Sequence, residues 1–357
     1  MTRTVGVEEE FLLVDPSSGE PRAVAGAVLS HAEDDAEPDE ITGELQREQL
    51  ETGSAPCRGL ADLDRELRRT RAMARDAARS SGVELAALAT SPLPVDPTVT
   101  PSPRYERMAE TFGRTVAEQL TCGCHVHVSV DSAEEGIAAL DRIRPWLAPL
   151  LALSANSPFW DGADTGYASF RSQVWGRWPT AGPTDLFGSP RRYREVVDTM
   201  LGTDTILDEG MVYFDARLSR HHPTVEIRVA DVCREPADAV LVAALARALV
   251  ETAVRADVAG RAPDPVGTGV LRLAAWRAAR SGVDDALVDP RTWKPEPAGV
   301  VVDALIADTA DALRDDDDLH VVRDLADAVL RRGTGAAHQR AVFGCTNDLR
   351  SVVADAT

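Results

Sequence analysis

Strict alternation of apolar and polar residues marks three stretches of this chain as strands with one dry and one wet face. Over residues 4–14, Val5, Val7, Phe11 and Leu13 share one side and Glu8 and Glu10 the other, with Glu9 among the apolar set. In Cys122-Gly-Cys-His-Val-His-Val, the residues Val126, Val128 and Val130 oppose His125, His127 and Ser129. Over residues 223–231, Val225, Ile227 and Val229 oppose Glu226 and Arg228. Apolar residues at helical spacing predict helices over 60–80 (Leu60, Leu63, Leu67, stopped by Gly82), 105–115, 133–153 with a break at Pro145, 191–200, 236–257, 270–281 and 300–330. Residues 84–89 and 211–217 read as further strands, 31–42 as an acidic loop, 90–103 as a proline-rich loop and 154–190 as irregular. Strands and helices mix without regular alternation, which predicts an α+β fold with a largely antiparallel sheet. We expect one domain over 1–357, with a helical C-terminal part from about residue 236.

Composition narrows the function. The chain has 357 residues, is 44% hydrophobic and 27% charged, and has no apolar run long enough for a membrane helix. No basic leader followed by an apolar stretch precedes the first strand, so a cytoplasmic protein is expected. A net charge of −20 argues against a nucleic-acid partner, which needs a basic footprint. The run Asp315–Asp318 reads as a solvated loop. The five cysteines lack the spacing of a zinc site and read as thiols packed like small hydrophobes. Lys294 is the only lysine. A phosphate loop needs Gly-Lys-Ser/Thr and finds none here, and Schiff-base chemistry has almost nothing to work with. Anions must therefore be held by arginine.

The wet faces carry the candidate chemistry. Glu8 and Glu10, one alternation apart, repel each other unless a cation lies between them. His125 and His127 stand about 7 Å apart on their strand, at ~3.3 Å per residue, and suit a metal or a phosphate. Glu226 and Arg228 read either as a surface ion pair or as a metal ligand beside a phosphate clamp. Glu44, Glu48 and Glu51 fit either a helix face or a loop entering a strand. Carboxylates and imidazoles without thiolates describe a site for a hard cation, Mg²⁺ or Mn²⁺. Arg171, Arg177, Arg217 and Arg228 are the available anion binders, and the Trp175–Pro183 stretch reads as a pocket wall. A metallohydrolase could use the same glutamates and histidines to activate water.

Five stretches in this order resemble the bacterial glutamate–cysteine ligase type 2, or carboxylate–amine ligase, family and more distantly glutamine synthetase. They are Gly6-Val-Glu-Glu-Glu-Phe, residues 44–51, Cys122-Gly-Cys-His-Val-His-Val, Ser172-Gln-Val-Trp-Gly-Arg-Trp-Pro-Thr-Ala-Gly-Pro and Pro223-Thr-Val-Glu-Ile-Arg-Val-Ala-Asp. The resemblance implies a glutamine-synthetase-like core, with a curved, mainly antiparallel sheet lining the site and helices on its outer face. It implies ATP and Mg²⁺ (or Mn²⁺), with Glu10, Glu44 and Glu51 around one ion and Glu8, His125 and Glu226 around another. His127 and Arg177 fall to the nucleotide side, Arg228 to the γ-phosphate, and Arg217 and Arg171 to substrate or phosphate. The implied reaction joins L-glutamate to L-cysteine or another amine through a γ-glutamyl phosphate, in a protein that forms dimers or larger assemblies. Glu48 remains an alternative to either neighbour.

Overall fold

The computed structural model describes residues 2–32 and 40–357. Its centre is a seven-stranded sheet built from β1 (Val5–Val14), β2 (Ile41–Gly43), β3 (Gln49–Gly53), β4 (Glu84–Ala86), β5 (Gly123–Ser129), β6 (Ala216–Leu218) and β7 (Thr224–Asp231). The order is β2-β3-β1-β5-β7-β6, and β4 pairs with the last residues of β1. Every pairing in this sheet is antiparallel. Two further hairpins, Phe159–Trp160 with Ala163–Asp164 and Ala286–Asp289 with Lys294–Pro297, lie outside it.

The alternation works as expected on the dry face. Val5, Val7, Val126, Val128, Val225 and Ile227 are all buried. The helix Pro236–Val258 covers them, flanked by the helices Leu60–Ser80 and Ala133–Ile143. Pro236–Val258 carries no single apolar stripe: Leu241 to Val250 are buried without interruption. It lies between the sheet and the outer helices Ala310–Asp315 and Leu319–Arg332, so every side of it meets protein. Leu60–Ser80 buries Leu60, Leu63, Leu67, Arg71, Ala74 and Ala78, one face at three-and-four spacing. It stops where Gly82 takes a φ of +75°, which costs a side-chain-bearing residue strain, and Val83 N–H returns to Ala78 C=O at 3.1 Å.

Glu9, at an apolar parity, is fully buried, and Arg71 of that helix answers it. The guanidinium donates to both carboxylate oxygens at 2.8 and 2.5 Å, and also to the carbonyls of Cys233 and Arg234. The pair satisfies its own charges and ties the helix to β1.

Several expectations need correction. The 133–153 helix divides into Ala133–Ile143, a 3₁₀ turn at Arg144–Trp146 and Leu147–Ser154. The 300–330 segment is three helices, and Asp315–Asp318 between them is no free solvated loop. Asp318 pairs with the buried Arg247, Asp316 lies 3.6 Å from the same guanidinium, and Asp315 meets Arg255 at 2.8 Å. Val229 is displaced from the dry face. Cys124 opposes Ala230 whereas Val126 opposes Ile227, so β7 carries one extra residue, parity flips, and Ala230 takes the buried place. The strand expected over 211–217 is only Ala216–Leu218. Helices Ala25–Ala32, Gly335–Thr346 and Leu349–Asp355 were not expected. Residues 33–39 of the expected acidic loop lie outside the described residues. Cys122, Cys124 and Cys233 are buried thiols, whereas Cys345 is exposed. Among the described residues, no helix is long and apolar enough to cross a membrane.

Candidate active site

The register of five strands, β3, β1, β5, β7 and β6, brings the wet-face residues together. Glu10 stands opposite Glu51, Glu8 opposite His125, and Glu226 opposite both His127 and Arg217. Glu44 joins from the turn between β2 and β3. The result is a cavity of about 770 Å³ lined by all of these residues and by Arg228. That volume falls within the range of ligand sites.

Three ligand sets form in it, each with donor atoms within 4.8 Å of one another: Glu10–Glu44–Glu51, Glu8–His127–Glu226 and Glu8–Glu51–His125. The first matches one expected group. For the second, the structure pairs Glu226 with His127 rather than His125, because the cross-strand register sets His127 against Glu226. His125 turns instead toward Glu8 and Glu10, with Nδ1 at 3.5 Å from the former and Nε2 at 3.8 Å from the latter. Glu48 leaves the cluster: its buried carboxylate accepts from Thr98 N–H at 3.0 and 3.1 Å and anchors the proline-rich loop.

The electrostatics show an excess of negative charge in one half of the cavity. Burial, then repulsion from Glu10, pushes the Glu44 carboxyl up to about 7. Burial and the neighbouring Glu44, Glu8 and Glu10 push Glu51 well above the usual range. The other half is compensated. Burial opposes charge on Glu226, but the Arg228 and Arg217 guanidiniums overcome it and hold the carboxyl well below the ordinary value. Arg217 grips Glu226 with two hydrogen bonds at 2.7 and 3.1 Å, and Arg228 donates to it from the other side. Burial also opposes charge on Glu8, while His125 and His127 bring it down. Burial, and then Arg228, keeps His125 below its usual value, so it is a neutral imidazole with a lone pair to give. The Nε2 atoms of His125 and His127 are buried without an aligned hydrogen bond, His127 Nε2 standing 3.3 Å from Glu8. Imidazole nitrogens so placed beside carboxylates that repel one another fit a divalent cation with oxygen and imidazole ligands.

The arginines separate. Arg217 and Arg228 line the acidic cavity; Arg171 and Arg177 do not. Arg177 is half-exposed and bound to Glu118 at 2.6 Å. Arg171 lies in a second cavity that meets the first at Trp175 and Arg228. Both Arg171 and Arg228 sit 5.6 Å from the centroid of the Trp175 ring. Gly123 makes room for this: a Cβ there would collide with the Arg171 guanidinium, with Cζ at 2.9 Å, and would press on His125 Nε2 at 3.0 Å. Its N–H meanwhile donates to Glu10 at 2.5 Å. The glycine of Cys-Gly-Cys is therefore a packing requirement of the site.

The sequence reading missed Tyr105, Tyr193, Tyr213 and His222, which line the acidic cavity, and the Arg104–Asp208 ion pair at 2.7 Å. The pair His221-His222 directly before the third strand was the one available cue. The tyrosines gave none, since they come from helices and loops remote from the motifs.

Comparison with known proteins gives the family and the fold. The family model described as glutamate–cysteine ligase family 2 matches residues 4–354. A Streptomyces avermitilis protein carrying the provisional name glutamate–cysteine ligase 2-1 is 53% identical over 99% of this chain and 98% of its own. A Streptomyces coelicolor protein, provisionally named glutamate–cysteine ligase 2, is 54% identical over 99% of this chain and 97% of its own. Among solved structures, the bifunctional glutathione synthetase of Pasteurella multocida superposes with a TM-score of 0.69 at 17% identity, covering 99% of this chain and 52% of that one. The glutamate–cysteine ligase of Francisella tularensis, solved with AMP, gives 0.63 at 14% identity, covering 99% and 87%. These last two show the expected glutamine-synthetase-like fold.

Proposed function

Because this chain belongs to the glutamate–cysteine ligase family 2, an ATP-dependent carbon–nitrogen ligase family, we propose that it converts the γ-carboxylate of glutamate to an acyl phosphate and joins the acyl group to the amine of cysteine or of another amino acid. One observation carries the reading: Glu8, Glu10, Glu51 and Glu226 and two imidazoles from adjacent strands, with Glu44 from the turn beside them, line a single cavity together with Arg217 and Arg228. Water activation requires the metal ligands alone, whereas phosphoryl transfer also calls for cations at the phosphate oxygens, the place that the buried Arg228 fills.

A carboxylate does not condense with an amine unaided, because its oxygen is a poor leaving group. In the proposed sequence, a γ-carboxylate oxygen attacks the γ-phosphorus of ATP, the bond to the bridging oxygen breaks, and ADP leaves. The amine nitrogen then attacks the acyl carbon, the carbon–oxygen bond breaks, phosphate departs, and the nitrogen gives its proton to solvent. Magnesium held by Glu10, Glu44 and Glu51 and by Glu8, His127 and Glu226 would neutralise phosphate oxygens. Arg228, fixed by Glu226 and Trp175, presents a preorganised cation to the transferring phosphoryl group. Arg217, bidentate to Glu226, holds that carboxylate in place. His125 stays neutral and supplies a lone pair.

The test is phosphate release from ATP with Mg²⁺, with and without glutamate and cysteine, and mass spectrometry of the product. Glutamate-stimulated release and a γ-glutamyl product are expected. No glutamate stimulation with any amine overturns the reading, and amide cleavage without nucleotide replaces it with hydrolysis.

A further inference from the structure

Beyond the wall formed by Trp175 and Arg228 lies the second cavity, about 320 Å³, bounded by the helices Leu147–Ser154 and Thr268–Ser281. Its lining holds the Arg171 guanidinium, which lies over the Trp175 ring and makes no side-chain hydrogen bond among the described residues. Arg171 is 1% exposed, its Nε has no partner, and its nearest carboxylate, Asp231, stands off at 4.0 Å. Asp231 is already engaged by Ser157 and Ser169 hydroxyls at 2.7 and 2.8 Å and by Asn156 N–H at 2.8 Å. A buried cation without a hydrogen-bonded partner is costly, so an anion is the ligand that offsets it.

The opposite charge is present too. Asp215, across the β6–β7 edge from Arg228, lines the same cavity, and its carboxyl makes no hydrogen bond among the described residues. Burial pushes it up to about 7, with Arg272 and Arg171 only partly offsetting this. The wall on the side of the two helices is largely apolar, with Leu147, Leu151, Leu271, Ala274, Ala275 and the half-exposed Trp276, while Arg144, Arg177, Arg272, Ser172 and Gln173 complete the lining. A cation and a carboxyl, neither engaged by a side-chain hydrogen bond among the described residues, beside a largely apolar wall describe the inverse of a zwitterion with an apolar side chain.

We propose that this cavity is the acceptor subsite, and that it takes an α-amino acid whose side chain is apolar and larger than that of cysteine. The acceptor's carboxylate meets Arg171, its ammonium meets Asp215, and its side chain lies on the wall contributed by Leu151, Leu271 and Ala275. Trp175 and Arg228, shared by both cavities, mark where acceptor and activated carboxylate meet. A cysteine would leave much of that wall uncovered. This inference rests on the ligase reading above and narrows its second substrate.

The experiment separates the two. Hydroxylamine traps an acyl phosphate as a hydroxamate without needing an amino-acid pocket, so ATP- and glutamate-dependent hydroxamate reports activation alone. Its absence from the unaltered protein would sink the ligase reading and this inference with it. With hydroxamate formed, kcat/KM is compared for leucine, methionine, cysteine and 3-methylbutylamine, the last being leucine without its carboxylate. Leucine or methionine is expected to exceed both cysteine and the amine at least tenfold. Ala275→Phe, which fills the cavity, should lower kcat/KM for the preferred amino acid at least tenfold further than it lowers hydroxamate formation; its hydroxamate signal also reports that it folds. Should it not fold, the acceptor comparison on the unaltered protein decides alone. Cysteine preferred over the larger acceptors, parity between leucine and its decarboxylated analogue, or equal losses in Ala275→Phe would each overturn the proposal.

Discussion

Glu44→Gln offers a reversal of sign that only a cation site produces. The carboxylates of Glu10, Glu44 and Glu51 lie within 4.8 Å of one another. At an effective dielectric of ~20, two unit charges that far apart repel by roughly 3 kcal/mol. The rise of Glu44 from 4.5 to about 7 tells the same story from its titration; at 1.36 kcal/mol per pH unit it is worth about 3 kcal/mol. Glu44 is only partly buried, and water at the cavity mouth screens it, so about 2 kcal/mol is the figure to use. The folded pKa is the higher one. The folded protein therefore holds more protons than the unfolded chain between pH 4.5 and about 7, and stability falls as pH rises through that window. At pH 8 in EDTA the group is charged in both states and its full cost is felt. Glutamine keeps the shape and the acceptor for Leu45 N–H while removing the charge, so Glu44→Gln should be more stable than the parent by about 2 kcal/mol. At pH 4 the two should melt together.

Saturating Mg²⁺ should invert the order. A ligand at a hundredfold over its Kd adds about 2.7 kcal/mol to the state that binds it. The parent should gain that much, and the variant, with one ligand gone, little of it. Scanning calorimetry at pH 8 and pH 4, in EDTA and in Mg²⁺, gives four comparisons. The reasoning is refuted if Glu44→Gln is the less stable protein in EDTA at pH 8, or if Mg²⁺ raises both melting temperatures equally.

Other perturbations read other parts of the structure. Arg71→Leu leaves Glu9 charged and buried and should cost about 3–5 kcal/mol in urea unfolding, whereas adding Glu9→Leu should recover at least half; a mild single variant would show the pair to be incidental. Gly123→Ala forces a methyl group against Arg171 and His125, so glutamate-dependent phosphate release should fall at least tenfold with near-native circular dichroism, and unchanged turnover would contradict the packing argument. Asp215 carries a carboxyl raised from 3.8 to about 7, so its contribution is lost as pH rises through that interval. Asp215→Asn should accordingly raise the melting temperature by a few degrees at pH 8 and hardly at pH 4, and an equal gain at both would assign the effect to something other than charge.

Which parts of this site could be read from the chain follows from the range of the interactions involved. Two-residue periodicity is local, so the faces of β1, β5 and the first half of β7 were legible, and with them Glu8, Glu10, His125, His127, Glu226 and Arg228. Glu9 shows the limit of parity: its charge sits on the dry side because Arg71, 62 residues away, meets it there. The same applies to Glu44, Glu48 and Glu51, equivalent on paper, of which Glu48 is diverted by a backbone N–H at Thr98. A single extra residue in β7 moves Val229 out of the core and onto the second cavity, and alternation contains no signal for a bulge. The late helices Gly335–Thr346 and Leu349–Asp355 escaped for a related reason. They make few buried apolar contacts of their own and are held largely by polar contacts to distant chain, such as Gln339 to the backbone and side chain of Asn156. Asn156 and its neighbour Ser157 in turn hold Asp231, and Ser157 Oγ accepts from the backbone N–H of Arg171. The C-terminal helices thus reach Arg171, which stands behind Trp175, through a chain of hydrogen bonds that no local pattern in the sequence records.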